Sequence, residues 1–406
     1  MNIVQIAGKS LLRNKLNTFL NIVLVAFGIG ILSVLLLASS QISDKLEQNS
    51  KDIDLVVGAK GSPLQLILSS IYHIDFPTGN IPAAEADALA HNPLVKTAVP
   101  LALGDNYAGH RIVGTNAKFI SLYNLKIAQG RYWKEDLEAT IGSQVAAETG
   151  LKPGDKFYGA HGLSDAGDTH RHNAYTVAGV LARSGNVTDN LVLTNIGSIY
   201  KMHDEHEEAA GHEEEHDEAA HEAEGTGKEI TALLIQYRSP MSVVLFPRMV
   251  NQSTSLQAAS PAMESARLFS LIGVGVETLQ WFAVLIMVIA ALSVFISLYN
   301  SMKERKYDLA VMRCLGASRS KIFFLVILES LLVTLIGSVA GLAIGHGALY
   351  LIGHYQESSQ ARLDPFFFST GEAWLLVAGI GIGLIASILP AIQTYRADVA
   401  KILSKS

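Results

Sequence analysis

Four stretches of the chain are almost free of charge. Leu16–Ser43 runs 28 residues without a charged side chain, centred on FLNIVLVAFGIGILSVLLLAS. Thr278–Met302 is also uncharged, Ile322–Gln356 carries only Glu329, and the fourth block reads WLLVAGIGIGLIASILPAIQT. A helix needs about 20 apolar residues to cross a hydrocarbon core of ~30 Å, and each block reaches that length. None has the polar face that a long helix in a soluble protein would show. The pattern predicts an integral membrane protein with helices at 17–40, 276–300, 322–346 and 374–394. Lys9, Arg13 and Lys15 precede the first block, which is too long for a signal-peptide h-region and reads as an uncleaved anchor.

The long segment 41–275 has a different rhythm, that of a folded α+β domain. DIDLVVGA, LVKTAVPLAL, HRIVGT, YTVAGVLA, NLVLTN and ITALLIQY read as strands. FPTGN makes a turn before Pro82, which opens an alanine-rich helix, and Pro-Gly-Asp in LKPGDKFYG makes another turn. SLQAASPAMESARLFSLIGVGVE reads as a helix throughout, continuous with the second span as a stalk.

Charge sets the orientation. Residues 1–18, the segment 303–321 and the tail after residue 391 carry twelve Lys/Arg against three Asp/Glu. Segments 41–275 and 347–373 carry 19 bases against 32 acids. Basic residues flanking spans mark the cytoplasmic side. The expected layout is therefore a cytoplasmic N-terminus (1–16), loop (301–321) and tail (395–406), with 41–275 and 347–373 outside. The single cysteine, Cys314, falls on the cytoplasmic side, so no disulfide is expected in the outer domain, which is large enough to do without one. No nucleic-acid partner is expected.

The loop KERKYDLAVMRCLGASRSK also has a pattern beyond its charge. Leu309, Met312 and Leu315 fall at i, i+3 and i+6, a short apolar face for the membrane surface or a partner. The order Glu304-Arg305, Asp308, an apolar-Arg-apolar-Gly segment around Arg313 and Gly316, and then Glu329 within the next span resembles the FtsX-like permease family, which includes MacB and LolC/LolE. Residues 272–400 correspond to its permease domain. GRYWKEDLEATIGSQVAAETGLKPGDKFYGA and LPAIQTYRADVAKIL extend the likeness, although Ala397-Asp398-Val399 departs from the family's usual Asp-Pro step.

The resemblance implies a bacterial inner-membrane ABC permease with a MacB-like periplasmic core domain. It would work as a homodimer or with a paralogous permease, and would have no catalytic residues of its own. Glu304, Arg305, Asp308, Arg313 and Gly316 would form the coupling element that docks a separate ATPase dimer, with ATP and Mg²⁺ bound by that partner. The chain would transmit motion to its outer domain, acting on a lipoprotein, a peptide or drug, or a cell-wall hydrolase, with a periplasmic adaptor or lipoprotein as a further partner. EGTGKE at 224–229 lacks the first Gly and the Ser/Thr of a P-loop.

Two other features carry chemistry. Glu329 lies well inside a span, where a carboxylate costs about 2.5–3.5 kcal/mol and calls for a partner. It reads either as a structural hydrogen bond to a Ser or Thr of a neighbouring helix or as part of a conformational switch. Gly337, Gly341 and Gly345 form a GxxxGxxxG stripe where another helix can approach closely. Residues 203–224 contain five His and eleven Asp/Glu with no Lys or Arg, a low-complexity insert without the means to build a core. HEEEH at 212–216 matches H-E-x-x-H, but the run has no apolar face for a packed protease cleft. His203, His206, His212, His216 and His221, joined by His170 and His172, are candidate ligands for Zn²⁺. The rival to an ABC permease is a membrane-anchored zinc-binding or sensor protein, or a permease concerned with zinc.

Overall fold

The computed structural model describes residues 3–161, 173–202, 228–355 and 363–396. The described residues divide into two compact units, a helical one within 1–43, 271–355 and 363–396 and an α+β one within 44–270.

Four helices are long and apolar enough to cross a membrane, Lys15–Ser50, Pro261–Glu304, Arg319–Tyr355 and Thr370–Tyr395. At ~1.5 Å per residue the first two reach about 54 and 66 Å, well beyond a hydrocarbon core. They are called the first to fourth spans below. Two shorter helices, Ile3–Arg13 and Lys306–Cys314, belong to the helical unit.

The α+β unit is built on one mixed sheet and a separate two-stranded one. Its strands are β1 (Leu55–Ala59), β2 (Ile81–Pro82), β3 (Val95–Tyr107), β4 (His110–Thr115), β5 (Ile127–Gly130), β6 (Glu138–Ile141) and β7 (Lys156–Phe157). They continue with β8 (Ala160–His161), β9 (Tyr175–Leu181), β10 (Val192–Asn195), β11 (Glu229–Ile230), β12 (Ala232–Tyr237) and β13 (Leu256–Ala259). The main order is β13-β1-β12-β3-β4-β10-β6-β9-β5, with β7 on β9, β8 on β3, and β11 paired separately with β2. β4–β10 and β6–β9 are parallel and the other pairs along this path are antiparallel.

The sheet explains why VV in DLVVGA has no polar alternation. Val56 packs in one core with Leu66 and Ile67 of helix Pro63–Ser70. Leu55 and Val57 pack on the opposite face with Phe246 and Val250 of helix Ser242–Ser253. A strand covered on both faces reads as a continuous apolar run.

The stretch expected to be helical from Ser255 onward is corrected. Leu256–Ala259 is an edge strand paired with β1, and the helix begins at Pro261, whose ring suits a first helical turn.

Candidate functional site

The charged loop is a helix held between two breaks. At Arg305 the backbone leaves the second span (φ −99°, ψ 13°), and Lys306–Cys314 starts a new helix. Its C-terminus closes on Gly316 at φ +99°, with Gly316 N–H donating to Arg313 O and Ala317 N–H to Met312 O. These are the paired bonds of a Schellman motif, which needs a residue in the left-handed region and so favours glycine. Ser318 then caps the third span, its Oγ accepting from Lys321 N at 3.3 Å.

The two faces of this helix differ. Leu309 and Ala310 are buried, and Leu309 packs with Met302, Ile322, Val326 and Ala391, against which Met312 is half-buried. Tyr307 and Leu315 are 53% and 82% exposed. The apolar face expected from Leu309, Met312 and Leu315 is thus split: the first two turn into the bundle and only Leu315 points away. Glu304 and Asp308 are exposed, while Arg313 is half-buried.

Arg305, expected on the docking face, is turned inward. Its Nη1 lies 3.1 Å from Glu329 Oε1, with side-chain exposures of 13% and 2%, and also donates to Ser10 Oγ. Glu329 therefore has a cationic partner, a stronger one than the Ser or Thr expected from sequence. Breaking such a buried pair from one side costs about 3–5 kcal/mol, because the remaining charge stays buried. Ser10 belongs to the N-terminal helix, and Arg13 of that helix lies 3.4 Å from Asp308 at the surface. Surface pairs of that kind contribute at most ~1 kcal/mol. The inner contact dominates.

The glycine stripe has a partner too. A Cβ on Gly337 would lie 2.8 Å from Val25 Cβ, one on Gly341 2.7 Å from Ala26 O, and one on Gly345 2.7 Å from Ser33 Oγ. All three contacts belong to the first span. On the other side of the third span, Ser330 Oγ donates to Gly383 O at 2.7 Å, and Thr334 and Ser338 face Gly383 and Gly379 of the fourth span. The third span is the hub of the bundle, with small residues on both sides.

Residues 18–243 match the MacB-like periplasmic core domain, and residues 281–399 match the FtsX-like permease C-terminal domain. The chain belongs to the FtsX-like, MacB-type family of ABC transporter permeases. It is a multi-pass membrane protein. It is 31% identical over 129 residues to the macrolide export ATP-binding/permease protein MacB of Hyphomonas neptunium, a match covering 30% of this chain and 19% of that protein. It is 30% identical over 122 residues to an uncharacterized ABC transporter permease protein of Mycobacterium tuberculosis, covering 27% of this chain and 13% of that one. The chain thus matches less than a fifth of the length of either relative. Among solved structures, the periplasmic region of MacB from Actinobacillus actinomycetemcomitans aligns at 11% identity and TM-score 0.34, covering 55% of this chain and 97% of that one. The extracellular domain of the transporter YknZ from Gram-positive bacteria aligns at 13% identity and TM-score 0.31, covering 51% and 99%.

This permease has polar groups that sequence reasoning missed. His346 Nε2 lies 2.8 Å from Glu372 Oε1 and Nδ1 lies 2.7 Å from Pro365 O, so both ring nitrogens face acceptors. Glu372 also closes a capping box with Ser369 at the start of the fourth span, and Ser33 Oγ lies 3.4 Å from its Oε1. The signal was Ser369-x-x-Glu372 ahead of an apolar run, a helix-start motif. The pair stands beside a groove of about 870 Å³ walled by Leu342, Phe366, Phe368 and Leu376.

In the core domain, His73 is 1% exposed with neither nitrogen hydrogen-bonded, and burial followed by the nearby Arg111 charge pushes it down to about 3. Burial also lowers Arg111, to about 10, against the opposing pull of Asp75. The candidate zinc ligands His170, His172, His203, His206, His212, His216 and His221 lie outside the described residues. Among the described residues, no group of three or more His, Cys, Asp or Glu stands together as a metal site.

Proposed function

We propose that this chain is the transmembrane permease subunit of a MacB/FtsX-type ABC transporter, coupling ATP hydrolysis by a separate ATPase subunit to movement of its MacB-like domain. The observation that carries the reading is the loop helix Lys306–Cys314. One side of it is anchored in the bundle through Leu309 and Ala310, and Tyr307 and Leu315 stand exposed on it. An exposed aromatic and an exposed leucine on a firmly seated helix suit a partner protein. Arg305 and Glu329 would pass a displacement of that helix to the third span.

The positive-inside bias supports a cytoplasmic loop and termini and a periplasmic core domain in a bacterial inner membrane. The charge-poor spans support mechanical transmission over a polar channel. The outer domain would act on a lipoprotein, a peptide or drug-like molecule, or a cell-wall hydrolase, in a dimer of this chain or with a paralogue. The composition of 203–224 favours a second reading, a permease concerned with zinc.

Reporter fusions test the layout. A fusion within 303–321 should report cytoplasm and one near residue 210 periplasm. An external signal from 303–321 would remove the basis for ATPase coupling.

A further inference from the structure

The loop helix has a second, inward side with a different chemistry. Lys306, Leu309, Ala310 and Arg313 recur at i, i+3, i+4 and i+7 and so share one face. That face closes a cavity of about 100 Å³ with the ends of the second, third and fourth spans. Met302, Leu309 and Ile322 form its apolar floor, while Lys303, Lys306 and Arg313 line it with positive charge. Among the described residues, no acidic side chain lines it. The space suits a small anionic group and not a nucleotide.

We propose that this cavity is a binding site for the phosphodiester headgroup of an anionic membrane phospholipid. The argument is charge complementarity at a fixed depth. The cavity lies where two spans end and the third begins, which is where lipid phosphates sit beside a transmembrane bundle. A phosphodiester there meets Lys303 and Lys306, both exposed, and Arg313, half-buried. The acyl chains run along the adjoining apolar helices. Basic recesses between helices at the cytoplasmic surface recognise anionic headgroups in this way, each Lys or Arg contributing to the attraction. This rests on the reading of the loop as cytoplasmic. It assigns the lipid to the inward face of the helix and leaves Tyr307 and Leu315 for the ATPase. A bound lipid would hold the loop helix against the spans and so set the position from which it couples.

The test uses the purified full chain in detergent without any ATPase, so that failure of the lipid site and failure of ATPase coupling are read separately. Phosphatidylglycerol and phosphatidylcholine with matched acyl chains are supplied in equal amounts, and retained lipid is counted by native mass spectrometry. The expected result is selective retention of one phosphatidylglycerol per chain. Lys303→Gln with Lys306→Gln should lower that retention about tenfold or more, and Lys303→Arg with Lys306→Arg should preserve it. Equal retention of the two lipids by the unaltered chain would overturn the proposal without recourse to any variant. So would undiminished retention in the Gln pair. Displacement of phosphatidylglycerol by millimolar inorganic phosphate would reassign the cavity to a soluble anion.

Discussion

Arg305 and Glu329, 24 positions apart in the chain, meet at 3.1 Å. One stands at the bend between the second span and the loop helix and the other well inside the third span. The pair fixes the loop helix to the bundle at the point where a docking partner would push on it. Arg305→Gln or Glu329→Gln should each destabilise the full chain by about 3–5 kcal/mol, while an apolar replacement of both should recover much of the loss. Thermal unfolding in detergent measures both. Additive losses in the double variant would show that the two side chains do not interact.

The glycine stripe predicts a graded response to one added methyl group. Gly341→Ala places a Cβ 2.7 Å from a backbone oxygen of the first span, whereas Gly347→Ala meets nothing within 4 Å. Overpacking of this kind costs about 1–3 kcal/mol. Gly341→Ala should lower the melting temperature and Gly347→Ala should leave it unchanged or raise it slightly. Equal effects would mean that the first span does not pack on this face.

The core domain predicts a pH dependence through His73. Its folded value of about 3 lies below the ordinary 6.5. Between those values the unfolded chain binds a proton that the folded chain does not, so stability falls as pH drops from about 6.5 towards 3. His73→Asn keeps a residue type tolerant of the φ of 55° and removes the titration. Hydrogen exchange in the β3–β4 peptides of the full chain should then be less sensitive to pH between 6.5 and 4.5 than in the unaltered protein, after correction for intrinsic exchange rates. An identical pH profile would show that His73 does not titrate on unfolding.

For residues 203–224, deletion should sharply reduce zinc uptake by the full chain at pH 7.5, since five His and eleven carboxylates leave together. Uptake by the intact chain should fall at pH 5.5, below the ordinary His value of ~6.5, because imidazole must be neutral to bind. Equal uptake with and without the insert, measured by isothermal titration, would make the segment a solvated acidic tract.

The four spans were legible because lipid imposes a length and an absence of charge that few other structures need. Strands β1, β3, β4, β9, β10 and β12 were legible for a related reason, as short apolar runs bounded by turns. Helix Ser242–Ser253 was not, since Pro247 in its middle reads as a break. Nor was β13, whose Leu-Gln-Ala-Ala composition continues smoothly into the helix that follows. Its strand state comes from pairing with β1, a partner about 200 residues away. The same limit hid the inward turn of Arg305. Among six bases in one loop nothing local marks the one that meets a carboxylate in the next span, and the N-terminal helix that supplies Ser10 showed in the sequence only as a basic flank.

The most direct measurement is stimulation of ATP hydrolysis. The tagged chain is purified from its own membranes together with the ABC ATPase that the coupling account expects to accompany it, and the complex is reconstituted into lipid. Turnover is compared between the unaltered chain and Tyr307→Asp with Leu315→Asp, two exposed positions whose replacement leaves the buried side of the loop helix intact. The coupling account predicts that the pair loses ATPase association and stimulation about tenfold or more while the chain still inserts and folds. Full association and turnover in that variant would contradict it.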